Sequence, residues 1–272
     1  MNRFVQQTNA GNDFLGRLRD GRPTLMLGIR GARTTDIARI AHSTGHHAIL
    51  VDLEHSTMPV DVAAGICAVA ADLGVMPLVR TPEREYGAIG RLLDGGALGV
   101  VAPRIETVEE AKTVVRACRF PPRGQRSQLA SVPALGMRPT PAGVLNPTLD
   151  AATVVQILVE TPLGITNADA IASLDGVDMI SLGANDLTAE LGIAGQYDHP
   201  LVREAVATVA KACANHGKLF MLGGVADPVL YASLAQLGVC PLVVTGMDTD
   251  LLYSAVQSRA ESVLRSLTEV PA

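Results

Sequence analysis

The sequence has no tryptophan, and only 3% of its residues are aromatic. Its core must therefore be filled by Val, Leu, Ile and Ala, the residues that packed parallel strands and their covering helices use. Cysteine is scarce as well. Cys67, Cys118, Cys213 and Cys240 stand apart with no C-x-x-C pair, so nothing calls for an oxidising compartment. All four are expected to be small buried hydrophobes. No charge sign dominates: 22 Lys and Arg face 27 Asp and Glu, a net charge of −5. Without a long basic run, nucleic acid is not expected as the main partner. The short basic stretch 116–126 (Arg116, Arg119, Arg123, Arg126) reads as a solvated loop or a subunit contact. Residues 1–11 are polar and carry no apolar core of a signal peptide. No 18-residue apolar run is free of charges or breakers. A cytoplasmic protein with no membrane partner is expected. No G-x-G-x-x-G follows a strand and no G-x-x-x-x-G-K-[ST] occurs, so the usual phosphate-cradling loops are missing.

What is present is a rhythm. Buried-strand patterns at 24–31 (TLMLGIRG), 47–54 (HAILVDLE), 75–80 (VMPLVR), 98–105 (LGVVAPRI), 154–160 (VVQILVE), 178–182 (DMISL), 218–222 (KLFML) and 240–245 (CPLVVT) alternate with helical patterns. The helices are read at 35–43, 60–73, 86–94, 108–118, 168–174, 200–216, 228–237 and 250–267. Thr34 or Thr35 is a candidate N-cap, and Thr107-x-x-Glu110 resembles a capping box. Residues 120–150, rich in Pro, Gly, Arg and Ser, read as a long loop that shapes a binding pocket. Eight βα units in 272 residues predict a single-domain α/β fold, the (β/α)8 TIM barrel. Residues 1–22 form an N-terminal extension in this reading, and 250–272 form a closing helix used in oligomer packing.

In such a barrel the active site lies at the C-terminal ends of the strands. Those ends carry Arg30; Asp52, Glu54 and His55; Arg80; Arg104 and Glu106; Glu160; Asn185 and Asp186; and Asp248. Charged groups there are costly unless paired or metal-bound. Glu160 and Asp186 end consecutive strands, so their carboxylates approach, and like charges repel without a cation between them. Oxygen ligands with open positions suit Mg²⁺ or Mn²⁺. The plainer alternative is that each acid caps a helix or pairs with an arginine. His55, beside Asp52 and Glu54, suits general acid–base work, or else makes a structural hydrogen bond. Arg80 suits a carboxylate and a developing enolate charge, or else a salt bridge to Asp52, Glu54 or Asp94.

The strings ILVDLEHSTM (49–58), PLVRTP (77–82), LLDGGALGVVAPRIETVEEAK (92–112), RFPPRGQR (119–126), VETPLGITNADAIASLDGVDMISLGANDLTAELG (159–192) and LGVCPLVVTGMDTDLL (237–252) occur in this order. Together they resemble the metal-dependent class II 2-oxo-acid aldolases of the HpcH/HpaI type, the family of 4-hydroxy-2-oxoheptanedioate aldolase. The resemblance implies a phosphoenolpyruvate/pyruvate-type barrel that cleaves or forms 4-hydroxy-2-oxo acids through a pyruvate enolate and an aldehyde, and a place in aromatic-compound catabolism. It implies a divalent cation (Mg²⁺, Mn²⁺ or Co²⁺) on Glu160 and Asp186. His55 falls at the base, with Asp52 orienting it. Glu54 and Asp94 fall at acids that position a water. Arg80 falls at the group that binds the 2-oxo carboxylate. Leu158, Ala184 and Asn185 fall at substrate-binding positions. It also implies a homo-oligomer, trimer or hexamer, in which Asp94 serves a neighbouring chain's site. The three lysines supply no Schiff base at the active end, since Lys218 starts a strand. Five positions depart from the family pattern: Leu158 replaces a Gln, Gly183-Ala184-Asn185-Asp186 replaces Gly-Pro-Ala-Asp at two positions, and Ser127 and Leu53 replace small residues. The departures leave room for a sister lyase or decarboxylase of a 2-oxo diacid and, more distantly, for a non-catalytic carboxylate-binding barrel.

Overall fold

The computed structural model describes residues 10–268. Eight parallel strands alternate with helices: β1 (Thr24–Ile29), β2 (Ala48–Asp52), β3 (Met76–Arg80), β4 (Gly99–Ala102), β5 (Val154–Val159), β6 (Met179–Gly183), β7 (Leu219–Gly223) and β8 (Leu242–Met247). Strands β1 to β6 each pair with the next in sequence, β8 pairs back onto β1, and β7 and β8 form no ladder. The β7–β8 seam is spanned by the Cys240 N–H, 2.6 Å from the Phe220 carbonyl. The eight-strand barrel read from the rhythm is thus the observed fold, and the four cysteines are buried as expected.

The period-2 alternation of each strand divides its side chains between two cores. Ile29, Ile49, Val51, Val79, Ile157 and Ile180 face outward onto the helices. Met26, Ala48, Met76, Leu78, Val154, Leu158 and Met221 fill the barrel interior. On the inward face the apolar residues give way to charge at the C-terminal rim. The series Ala48–Leu50–Asp52, Met76–Leu78–Arg80 and Gln156–Leu158–Glu160 each end on an ionisable group. A buried polar layer lies just below: Gln156 donates to the Met221 sulfur at 3.3 Å, and its own oxygen has no partner.

The helices are α1 (Ala10–Arg19), α2 (Asp36–Ser43), α3 (Val60–Asp72), α4 (Ile89–Asp94), α5 (Val108–Cys118), α6 (Ala142–Ala152), α7 (Pro162–Thr166), α8 (Ala168–Ala172), α9 (Ala184–Glu190), α10 (Pro200–Asn215), α11 (Pro228–Ala235) and α12 (Asp248–Thr268). The capping box at Thr107 and Glu110 is formed. Thr35 precedes α2, but its hydroxyl makes no capping bond. Within the segment 1–22, Phe14, Leu15 and Leu18 on α1 are buried in the inner core, while residues 1–9 lie outside the described residues. One expectation is corrected. The segment 120–150 is not a continuous loop, because α6 runs through it. Leu145, Leu149 and Ala152 are buried at helical spacing, and this burial outweighs the helix-breaking Pro147.

That segment also lies at the wrong end to shape the pocket of its own chain. The helix α5 returns from the rim, so residues 119–153 begin and end at the N-terminal face. There Arg119 is buried rather than solvated. It donates to the carbonyls of Asp150, Thr153 and Gly176 and pairs with Asp178 at 2.9 Å. Lys218 is at this face too, bonded to the carbonyls of Leu174 and Val177. The described residues contain no helix long and apolar enough to cross a membrane.

Candidate active site

Strand register assembles the centre of the rim. Asp52 lies directly across from Arg80, and the β1–β2 pairing Ile29↔Val51 puts Arg30 beside Asp52 on the other side. The fully buried Asp52 carboxylate accepts from Arg80 Nε (3.0 Å) and NH2 (2.7 Å), and from Arg30 Nε (3.2 Å). It also accepts the backbone N–H groups of Glu54 and His55. Burial works against this charge, but the Arg80 guanidinium more than offsets it, and the carboxyl is held below its ordinary value.

Asp52 is therefore the hub of the site rather than the orienting partner of the His55 ring. Its oxygens are taken up by two guanidiniums and two backbone groups. The ring instead lies 3.6 Å from Glu54 and is 52% exposed. Glu54 in turn pairs with Arg80 NH1 at 3.2 Å. All three nitrogens of the Arg80 side chain thus contact carboxylates, and NH1 and NH2 each keep a second N–H for another ligand.

Glu160 is buried beyond the end of β5. It accepts the Arg104 N–H at 2.9 Å, an arrangement made by a left-handed backbone at Arg104 (φ 52°). That turn sends the Arg104 side chain out to Glu190, at the far end of the helix that carries Asp186. Burial, with the charges of Asp186 and Glu54 close by, pushes the Glu160 carboxyl up to about 8. Burial raises Glu54 too, against the pull of Arg80 and His55. Three carboxylates therefore stand within electrostatic reach of one another. Gly183 makes room for them, since a Cβ there would lie 2.5 Å from Glu160 Oε2. Leu158 packs beside the same glycine, on the inward face one residue pair below Glu160.

Other expected positions fall elsewhere. Asp94, at the end of α4, lies at the N-terminal face and pairs with Arg126 at 2.9 Å. Within one chain it does not meet the rim, because α4 runs back down from it. Ala184 turns its methyl group into the outer core, which leaves its backbone as the part that a substrate could meet. The Asn185 side-chain oxygen accepts the Tyr197 hydroxyl at 2.7 Å. Two participants were not singled out from sequence. Glu190 has no signal beyond being an acid on the helix after Asp186. Arg33 could have been noticed as the second arginine of I-R-G-A-R, directly after a strand end.

The HpcH/HpaI aldolase/citrate lyase family matches residues 26–253. A 4-hydroxy-4-methyl-2-oxoglutarate aldolase of Hapsidospora irregularis is 36% identical over 215 residues, which is 78% of this chain and 80% of that protein. A hydroxypyruvate/pyruvate aldolase of Roseobacter denitrificans is 33% identical over 226 residues, 82% of this chain and 86% of that protein. The crystal structure of an HpcH/HpaI aldolase from Desulfitobacterium hafniense superposes with a TM-score of 0.83 at 26% identity, covering 94% of this chain and 97% of that one.

Proposed function

Because the chain belongs to the HpcH/HpaI aldolase/citrate lyase family and is a lyase of the aldolase kind, we propose that it cleaves and forms the C3–C4 bond of 4-hydroxy-2-oxo acids through a pyruvate-type enolate. The observation that carries this reading is the set of three mutually repelling carboxylates, Glu54, Glu160 and Asp186, beside the fixed Arg80 guanidinium. The names of the relatives, aldolases of 4-hydroxy-4-methyl-2-oxoglutarate and of hydroxypyruvate or pyruvate, agree with it.

The donor set fits a hard divalent cation. Burial, with the charges of Asp186 and Glu54 beside it, holds the Glu160 carboxyl at about 8, and a cation relieves both the isolation and the repulsion. Glu160 and Asp186 would hold it. Among the described residues no group of three His, Cys, Asp or Glu side chains gathers to hold a metal. When bound, Mg²⁺, Mn²⁺ or Co²⁺ supplies Lewis acidity at the 2-oxo acid. The chain's own groups do the rest. Arg80 presents its two remaining N–H groups to the carboxylate end of the 2-oxo acid and opposes the charge of the enolate. His55 takes the proton of the C4 hydroxyl. The C3–C4 electron pair becomes the enolate, C4 leaves as an aldehyde or ketone, and C3 then takes up a proton to give pyruvate. Glu54 lies 3.6 Å from the ring and is the carboxylate beside this proton transfer.

The test is a panel of pyruvate or hydroxypyruvate with several aldehydes, run on chelator-stripped protein and after addition of each metal. If no pair yields an aldol adduct under any metal, the reading is refuted. We read α12 as a subunit contact, since Leu252, Tyr253, Val256, Leu264 and Leu267 are all exposed on it. Light scattering that returned a monomer would remove that part.

A further inference from the structure

The end of β1 carries a charged feature that the enolate reaction does not use. Residues Arg30, Gly31, Ala32 and Arg33 form a loop held from both sides. Asp248, at the start of α12, accepts the backbone N–H groups of Arg30 (2.8 Å), Gly31 (2.9 Å) and Ala32 (2.7 Å). From the other side Arg33 NH1 donates to the carbonyls of the same three residues, at 2.8, 2.8 and 3.1 Å. Asp248 thus spends its charge on backbone dipoles, and burial fails to raise its carboxyl, which those N–H groups hold below the ordinary value. The Arg33 side chain, exposed but tied at one nitrogen, is a fixed guanidinium and not a freely waving one. Its side-chain hydrogen bonds all go to carbonyls, and among the described residues no carboxylate pairs with it.

The loop faces the proton-transfer group. Arg30, Arg33, Glu54, His55, Ser56 and Thr57 line one groove of about 440 Å³. The acids in and beneath it are already answered: Glu54, which lines it, by Arg80, and the buried Asp52 by Arg80 and Arg30. Arg33 is the cation left over. A group that gives its hydroxyl proton to His55 must lie in this groove, and in the aldol reaction that group is the acceptor half. An uncharged aldehyde has no use for a held guanidinium. A carboxylate does, because the planar fork matches it with two parallel bonds.

We propose that Arg33, with Arg30 beside it, is a specificity clamp for a carboxylate on the acceptor, so that the substrates are 4-hydroxy-2-oxo acids with a second carboxylate beyond C4. The clamp rests on the aldolase reading above and narrows it to anionic acceptors. It adds no chemical step, because the bonds broken and formed remain those of the aldol reaction.

The test compares kcat/KM for matched acceptors, glyoxylate and succinic semialdehyde against acetaldehyde and butyraldehyde, with pyruvate as donor and saturating Mn²⁺. The wild-type enzyme should prefer the carboxylate-bearing member of each pair. Arg33→Ala should cut kcat/KM for the anionic acceptors by about 10- to 100-fold, as expected for losing a charge-assisted pair, and so collapse the preference. Arg33→Lys should restore part of it, which also excludes misfolding as the cause. A wild-type enzyme that exchanges the methyl protons of pyruvate with D2O but shows no carboxylate preference overturns the clamp and leaves the aldolase reading standing. A preference that survives Arg33→Ala unchanged overturns it too. A wild-type enzyme that does not exchange those protons overturns the reading and the clamp together.

Discussion

Asp52→Asn keeps the shape of the hub and removes its charge. In the more favourable amide orientation the asparagine oxygen still accepts Arg80 Nε and the two backbone N–H groups. The amide NH2 then meets Arg80 NH2 and Arg30 Nε, two donors that now face a donor. Arg80 is only 15% exposed, so little water replaces what it loses, whereas Arg30 at 33% is partly rehydrated. With roughly 1.5–3 kcal/mol for each charge-assisted bond, and the Arg30 bond discounted for solvent, the net loss is about 3 kcal/mol. For a chain of this size that corresponds to a Tm lower by about 6–12 °C. Scanning calorimetry of both proteins under identical metal-free conditions measures it. A Tm within 2 °C of wild type would refute the hub, because the ion pairs would then contribute nothing the amide cannot replace.

Glu160 ties stability to pH. Unfolded, it ionises near the ordinary 4.5, whereas folded and metal-free it ionises at about 8. Between those values the folded state holds one more proton, so stability falls as pH rises, by up to about 1.4 kcal/mol per pH unit from this group, and levels off above 8. Urea titrations in EDTA from pH 5 to 9 should show that slope in wild type and not in Glu160→Gln; equal slopes would contradict it. Gly183→Ala places a methyl 2.5 Å from Glu160 Oε2, so the carboxylate must shift. Mn²⁺ affinity by calorimetry should drop more than tenfold with the circular dichroism spectrum retained, and an unchanged Kd would remove Glu160 from the metal site. His55→Ala should slow retro-aldol turnover by about 10²–10⁴-fold with little change in Tm, given the exposure of the ring. A wild-type rate would take it out of the mechanism.

The barrel was legible because its signal is repetitive. Each apolar strand pattern is bounded by turn residues, and the period-2 alternation puts an ionisable group at the inward rim position of β2, β3 and β5. The irregular parts were not legible, for local reasons. Pro147 and the surrounding glycines mask the 145/149/152 spacing that buries α6, and three apolar residues in α1 were too few to read as a barrel floor. At the site, position along a strand located Asp52, Arg80 and Glu160 but not their partners. Whether Asp52 faced the His55 ring or its backbone depends on how many donors converge on two oxygens, which only register decides. Asp94, at the N-terminal face, is away from the rim of its own chain, which agrees with a role toward a neighbouring chain but does not test it.

The proposed reaction requires enolate formation at a cation held by Glu160 and Asp186. Proton exchange at the pyruvate methyl group in D2O, followed by NMR without any acceptor, isolates that step from the question of substrate. Wild-type protein should exchange in Mg²⁺ or Mn²⁺, stop when the metal is chelated, and resume when it is restored, while Glu160→Gln stays silent throughout. Exchange that continues at the same rate in metal-free wild-type protein would contradict the assignment of Glu160 and Asp186.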